Sequence, residues 1–221
     1  MSDEEYRIYI GTQGWNHPNW QGSYYPDDLP GEWALTYYAN EIPVVYLPAS
    51  ENWQEQAEQL LDGSSDKFRF ILGLDASQLT KQPDYLQSLQ AFSERLLGVV
   101  VSLGNDITFN QQLASTIETL NQYRVCIDFA QGKTADQRWQ DFMQQAQINP
   151  CQYADAQEDV AMPGSLAVTF ADQDYDPKGL RQVLEACIQS ERDDLTQALI
   201  LTSPTPSLET LRNAYVIADM L

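Results

Sequence analysis

Histidine is nearly missing from this chain: His17 is the only one. Any Ser-His-Asp or Cys-His arrangement would have to use it, yet it precedes Pro18 with no nucleophile motif nearby. Cysteine is sparse too. Cys126, Cys151 and Cys187 are odd in number and widely spaced, with no CxxC pair. Buried reduced thiols are therefore expected, and a zinc site is not. No HExxH, GxGxxG or P-loop pattern occurs, so motif-based zinc, dinucleotide and nucleotide sites lack support. No metal and no cofactor are expected.

Positive charge is the next shortage. Twelve Lys and Arg against 32 Asp and Glu leave a formal charge of −20. A field of that sign repels phosphate backbones and anionic lipid surfaces, so neither nucleic acid nor membrane is an expected partner. It suits solubility, or attraction of a cationic partner or ligand. No apolar run approaches the roughly 20 residues needed to span a bilayer. The opening MSDEEYR is acidic and lacks the layout of a signal peptide, so a cytoplasmic protein is expected. What the chain does have is a 43% hydrophobic content over 221 residues, enough for a substantial core.

The stretch 6–26, YRIYIGTQGWNHPNWQGSYYP, organises the rest. Tyr6, Ile8 and Ile10 alternate as in a strand that stops at Gly11. A loop with Trp15, His17, Trp20, Tyr24 and Tyr25 follows, and such a loop at a strand end reads as the lining of a pocket. The competing reading is that Trp15 and Trp20 plug one end of the fold.

After this, β-like and helical segments alternate. Strands are expected at 6–10, 44–47, 68–74, 98–103, 124–129, 151–154 (weak), 165–171 and 198–202. Helices are expected at 30–41, 51–61 with Ser50 as N-cap, 84–96, 110–123, 135–147, 177–190 and from 206 or 207 to 220. Residues 155–164 read as loop. The run GVVVSL at 98–103 has no polar alternation, the mark of a strand buried on both faces. Eight strands alternating with seven helices imply a parallel sheet with right-handed crossovers. Closure into a TIM-type (β/α)8 barrel, slightly short or irregular after the sixth strand, is the expected α/β fold, with residues 1–221 as one domain.

IGTQGWNHPNWQGSYYP at 10–26 resembles the opening of the YecE-like family, domain of unknown function 72. Further echoes are Trp33, Tyr37, Tyr38 and Ala39, then FRF at 68–70, LGVVVSL at 97–103, VCIDF at 125–129 and the final LRNAYVIADML. The resemblance implies a TIM-type barrel and brings no reaction with it. It also implies losses: Tyr46 and Pro48, Gly73, Ala130, Thr169 and Ala171, and Thr202 and Ser203 fall where the family tends to carry polar or charged groups. Asp128 keeps a carboxylate. The resemblance thus implies a pocket stripped of charge.

Paired carboxylates are the remaining candidates for chemistry. Asp75, Asp128 and Asp172 fall at the ends of odd-numbered strands, which contribute to the same interior layers of such a barrel. Carboxylates roughly 5–10 Å apart, with tryptophans to stack on, would suit acid/base work on a sugar-like substrate. The plainer reading is that strand-end aspartates cap the next turn. Two functions follow. One is a non-catalytic or vestigial barrel that binds a small molecule or a protein through Gly14, Trp15, His17, Trp20, Tyr25 and Tyr46. The other is an enzyme of unassigned type using Asp128, Asp75 or Asp172. Converging carboxylates would favour the enzyme, and separated aspartates bonded to backbone amides the binder.

Overall fold

The computed structural model describes residues 6–79, 85–104, 108–131, 133–156, 162–188 and 192–221. The expected helix start at Asp84 and helix end at Ser190 lie outside them, as does part of the 155–164 loop. Among the described residues nine strands form one sheet: β1 (Tyr9–Gln13), β2 (Val44–Leu47), β3 (Arg69–Asp75), β4 (Leu96–Ser102), β5 (Val125–Asp128), β6 (Asn149–Pro150), β7 (Gln152–Tyr153), β8 (Leu166–Ala171) and β9 (Thr196–Leu201). Every pairing is parallel, in the order β6-β5-β4-β3-β2-β1-β9-β8-β7. The two ends of that order, β6 and β7, are separated in sequence by Cys151 alone. The sheet therefore returns on itself as a TIM-type barrel with a seam at Cys151, which falls within the expected sixth strand rather than after it.

Strand parity sorts the apolar residues into two layers. Val44, Tyr46, Ile71, Leu97, Val100, Cys126, Leu166, Val168, Phe170, Ala198 and Ile200 fill the barrel interior. Their neighbours on the same strands, such as Val45, Leu72, Val99, Val101 and Leu199, pack outward against helices. Both faces of β4 are buried, as its unbroken apolar run requires.

The helices are α1 (Ala34–Glu41), α2 (Ala57–Asp62), α3 (Ala76–Leu79), α4 (Tyr85–Ala91), α5 (Gln111–Glu118), α6 (Gln137–Ala146), α7 (Pro177–Ile188) and α8 (Leu208–Ala218). Asn110, Asp136 and Ser207 accept from the amides of Leu113, Trp139 and Thr210 at the starts of α5, α6 and α8. Each cap satisfies a donor the helix leaves open, contributing about 1 kcal/mol. None of the described helices is long and apolar enough to cross a membrane.

Three local expectations shift. The first strand starts three residues later than its alternation suggests and runs through Gly11. That glycine marks close approach rather than a strand end, since a Cβ there would lie 2.1 Å from the Val44 carbonyl oxygen. Ser50 does not cap a helix. It lies in a short 3-10 turn, Asn52 takes a left-handed φ of 48°, and α2 begins only at Ala57. Buried Trp53, donating to the Gly73 carbonyl at 2.9 Å, holds the chain against the barrel at this break. The sixth strand begins at Asn149, earlier than expected, and is interrupted at Cys151.

The loop after β1 folds back over the outer wall. Trp20 is fully buried, its indole N–H donates to the Pro206 carbonyl at 2.8 Å, and its ring lies near those of His17, Tyr24, Tyr25 and Tyr38. The Tyr38 hydroxyl accepts from the Thr12 amide at 3.1 Å and donates to the Val44 carbonyl at 2.9 Å, tying α1 to β1 and β2. This aromatic layer is a packing element. Trp20→Ala is expected to lower the unfolding free energy by about 3–5 kcal/mol, read as a drop in urea midpoint at unchanged slope. A loss under 1 kcal/mol would mean that the layer re-forms without the indole.

Candidate functional site

The C-terminal strand ends form the mouth where a barrel of this type builds its sites. Register sets Asp75, Ser102 and Asp128 level on β3, β4 and β5. All three share the interior parity of Ile71, Val100 and Cys126. On β2, inward Tyr46 reaches toward them. It has room because Gly73 lacks a side chain: a Cβ there would sit 3.0 Å from the Tyr46 hydroxyl.

A chain of hydroxyls runs across this layer. The Tyr46 hydroxyl is hydrogen-bonded to Ser102, and Ser102 Oγ donates to Asp128 Oδ2 at 3.3 Å. From the other side the Tyr153 hydroxyl donates to Asp128 Oδ1 at 2.7 Å, and the Ala130 amide donates to the same oxygen at 2.9 Å. Burial pushes both tyrosines above their ordinary range, with the Asp128 charge adding to it, so they remain proton donors. Ala130 takes a left-handed φ of 66°, uncommon for a residue with a Cβ, and this bend brings its amide onto the carboxylate. Phe170 packs on Tyr46 and Tyr153, with ring centroids 5.2 and 5.7 Å away.

Beneath Asp128 lie two free thiols, Cys126 and Cys151, with their sulfurs 3.0 Å apart and the Cys151 thiol donating. Burial, with Cys126 and Asp128 beside it, pushes the Cys151 thiol well up, away from the thiolate. Among the described residues no three His, Cys, Asp or Glu side chains converge so as to hold a metal ion.

The residues singled out in the sequence are thus divided. Tyr46 and Asp128 meet in the mouth through Ser102. Gly14 stands at its edge, with its amide donating to the Tyr46 carbonyl at 2.9 Å, and half-buried Trp15 follows it. Asp75 turns to the backbone, accepting from the Ser77 amide at 2.7 Å, while Asp172 is exposed. Trp20, Tyr25 and His17 belong to the outer aromatic layer, where Tyr25 donates to the Trp15 carbonyl at 2.6 Å. Ser102, Cys126, Cys151, Tyr153 and Phe170 were not singled out as site residues. The position of Ser102 at the end of the GVVVSL run was the available signal, while Tyr153 sits on a strand too short to have a readable parity.

A cleft of about 600 Å³ adjoins this site beside α6, with Phe129, Ala130, Met143, Cys151, Gln152 and Tyr153 in its walls.

His17 is buried, with Nε2 3.4 Å from Thr12 Oγ1. Burial lowers its pKa below the ordinary 6.5, opposed by a bond with the Gly14 backbone. The unfolded chain then takes up the proton first as pH falls. The stability from neutral His17 is therefore present above about 6.5 and is lost on acidification toward the lower folded value. Between pH 7.5 and 5.5 the urea midpoint of the wild type is expected to fall more than that of His17→Gln. Equal falls would place the imidazole in water.

Comparison with known proteins agrees with this architecture. Residues 9–176 match the family described as Protein of unknown function DUF72. No curated protein is similar in sequence. A crystal structure of a DUF72 family protein from Thermotoga maritima superposes with a TM-score of 0.72 at 15% identity, covering 96% of this chain and 98% of that one. One from Enterococcus faecalis gives 0.71 at 11% identity, covering 96% and 95%. The N-acetylneuraminate lyase from Fusobacterium nucleatum gives 0.57 at 12% identity, covering 96% of this chain and 75% of that one, a likeness of fold alone. With the match spanning most of its length, and with the barrel shared with two solved members, this chain belongs to the DUF72 family.

Proposed function

We propose that this protein is a non-catalytic barrel that binds a small neutral or cationic molecule in its mouth, between Asp128 and Tyr46, with Gly14 and Trp15 at the rim. The observation that carries this reading is the state of the Asp128 carboxylate. It already accepts from Tyr153, Ser102 and the Ala130 amide. A carboxylate has about four lone-pair directions, so roughly one remains for a ligand N–H or O–H.

Acid/base hydrolysis would need a second carboxyl group facing the same space. Asp75 lies two strand spacings from Asp128, about 10 Å along the sheet and so at the far limit of the spacing such chemistry uses, and what weighs against it is the oxygen it commits to the Ser77 amide. Strand-end aspartates bonded to backbone are what a binder rather than a hydrolase presents. The Asp128 carboxylate at the centre of the mouth disfavours anionic ligands there.

A thermal-shift screen of neutral and cationic small molecules, followed by calorimetry on the hits, tests the reading. Asp128→Asn and Tyr46→Phe are each expected to weaken a hit about tenfold or more, with no turnover of it by the wild type. A hit that both variants bind normally would move the site elsewhere. Turnover abolished in Asp128→Asn would make the protein an enzyme.

A further inference from the structure

The opposite end of the barrel carries the charge the chain otherwise lacks. Of 12 basic residues in a chain of charge −20, four arginines line a single cleft of about 720 Å³ at the N-terminal strand ends. Arg7 precedes β1, Arg69 opens β3, Arg124 precedes β5 and Arg192 precedes β9. The arrangement follows from alternation. Arg69 lies two residues before interior Ile71, Arg124 two before interior Cys126, and Arg7 two before Tyr9, which packs against the interior cluster. Three guanidinium stems thus start from the inward parity of alternate strands, the positions that build one layer of such a barrel.

Among the described residues, two carboxylates, Glu94 and Asp193, line the same cleft. The ordinary reason for arginine at this end is to hold loop carbonyls, and some do so. Arg69 donates to the Asp66 carbonyl at 2.7 Å, Arg95 donates to the Ser64 carbonyl at 2.8 Å, and Arg192 pairs with Asp194 at 2.6 Å. Arg7 and Arg124 are different. Both are exposed, and among the described residues the ion pairs are Arg181–Glu185 and Arg192–Asp194, which include neither. The exposed Tyr6 ring, 5.2 Å from that of Tyr9, adds an aromatic wall.

A guanidinium is planar and always charged, and its fork matches the oxygens of a phosphoryl group two at a time. Several guanidiniums around one opening suit a polyanion better than a single carboxylate. We infer that this cleft binds a small molecule carrying a phosphoryl group, gripped by Arg7 and Arg124 and flanked by Arg69 and Arg192. The site stands apart from the mouth, at the other end of the strands, and does not depend on what the mouth binds.

Calorimetry on the full chain with inorganic pyrophosphate, in metal-free buffer at ionic strength held constant with NaCl, tests it. The wild type is expected to show saturable one-to-one binding. Arg7→Gln and Arg124→Gln are each expected to weaken it about tenfold or more, and Arg124→Lys by less, since charge is kept and the fork lost. Arg181→Gln removes a cation that does not line the cleft and should leave the affinity unchanged. Circular dichroism melts confirm folding of each variant. No saturable heat in the wild type, equal affinity in all variants, or an equal loss in Arg181→Gln would overturn the assignment.

Discussion

At the seam of the barrel one buried amide bridges a step that strand pairing leaves open. β6 pairs with β5 and β7 pairs with β8, which leaves a step between β6 and β8 with no backbone ladder across it. Asn149 spans that step. Its Nδ2 donates to the Leu166 carbonyl at 2.7 Å, and its Oδ1 accepts from the Gly164 amide at 2.6 Å. Gly164 passes so near that a Cβ would stand 2.7 Å from the Gln147 carbonyl oxygen. With the Asn149 side chain fully buried, no water stands ready to replace it, and a lost partner would leave polar groups dry.

The mouth depends on this closure. β7 delivers Tyr153 to Asp128, and the residue between β6 and β7 delivers Cys151 to Cys126. If the seam opened, Asp128 would lose its strongest side-chain donor and the Tyr46–Ser102–Asp128–Tyr153 chain would end in solvent. On its outer side the seam borders the cleft beside α6. Polarity also divides along the barrel axis. A carboxylate held by hydroxyls occupies one end and a set of arginines the other, so the two ends present opposite charge.

Much of this was legible in the chain, because parallel strands buried on both faces write themselves as unbroken apolar runs. GVVVSL became β4, and Asp128 at the end of VCIDF became the centre of the mouth. The seam was hard to see because asparagine and proline are poor strand residues, and Asn149–Pro150 pairs with Cys126 and Ile127 over just two positions. Trp20 and Tyr25 looked like a rim because composition cannot show that a loop turns back onto the outer wall. The Pro206 carbonyl that receives the Trp20 indole lies 186 residues away. Arg69 and Arg124 share a parity with interior residues that could have been read from their strands, but an arginine at a strand start ordinarily signals only an edge.

Native-state hydrogen exchange tests the dependence on Asn149 most directly. The Ala154 amide bonds to the Phe170 carbonyl across the β7–β8 side of the seam, at 2.8 Å, and the Cys151 amide bonds to Ile127 at 2.7 Å on the β5 side. In Asn149→Ala the Ala154 and Gly164 amides are expected to exchange at least about tenfold faster than in the wild type, relative to amides in the β2–β3 pairing. Unchanged relative protection at Ala154 would show that the barrel closes without its side-chain bridge, and that the mouth is held together by something else.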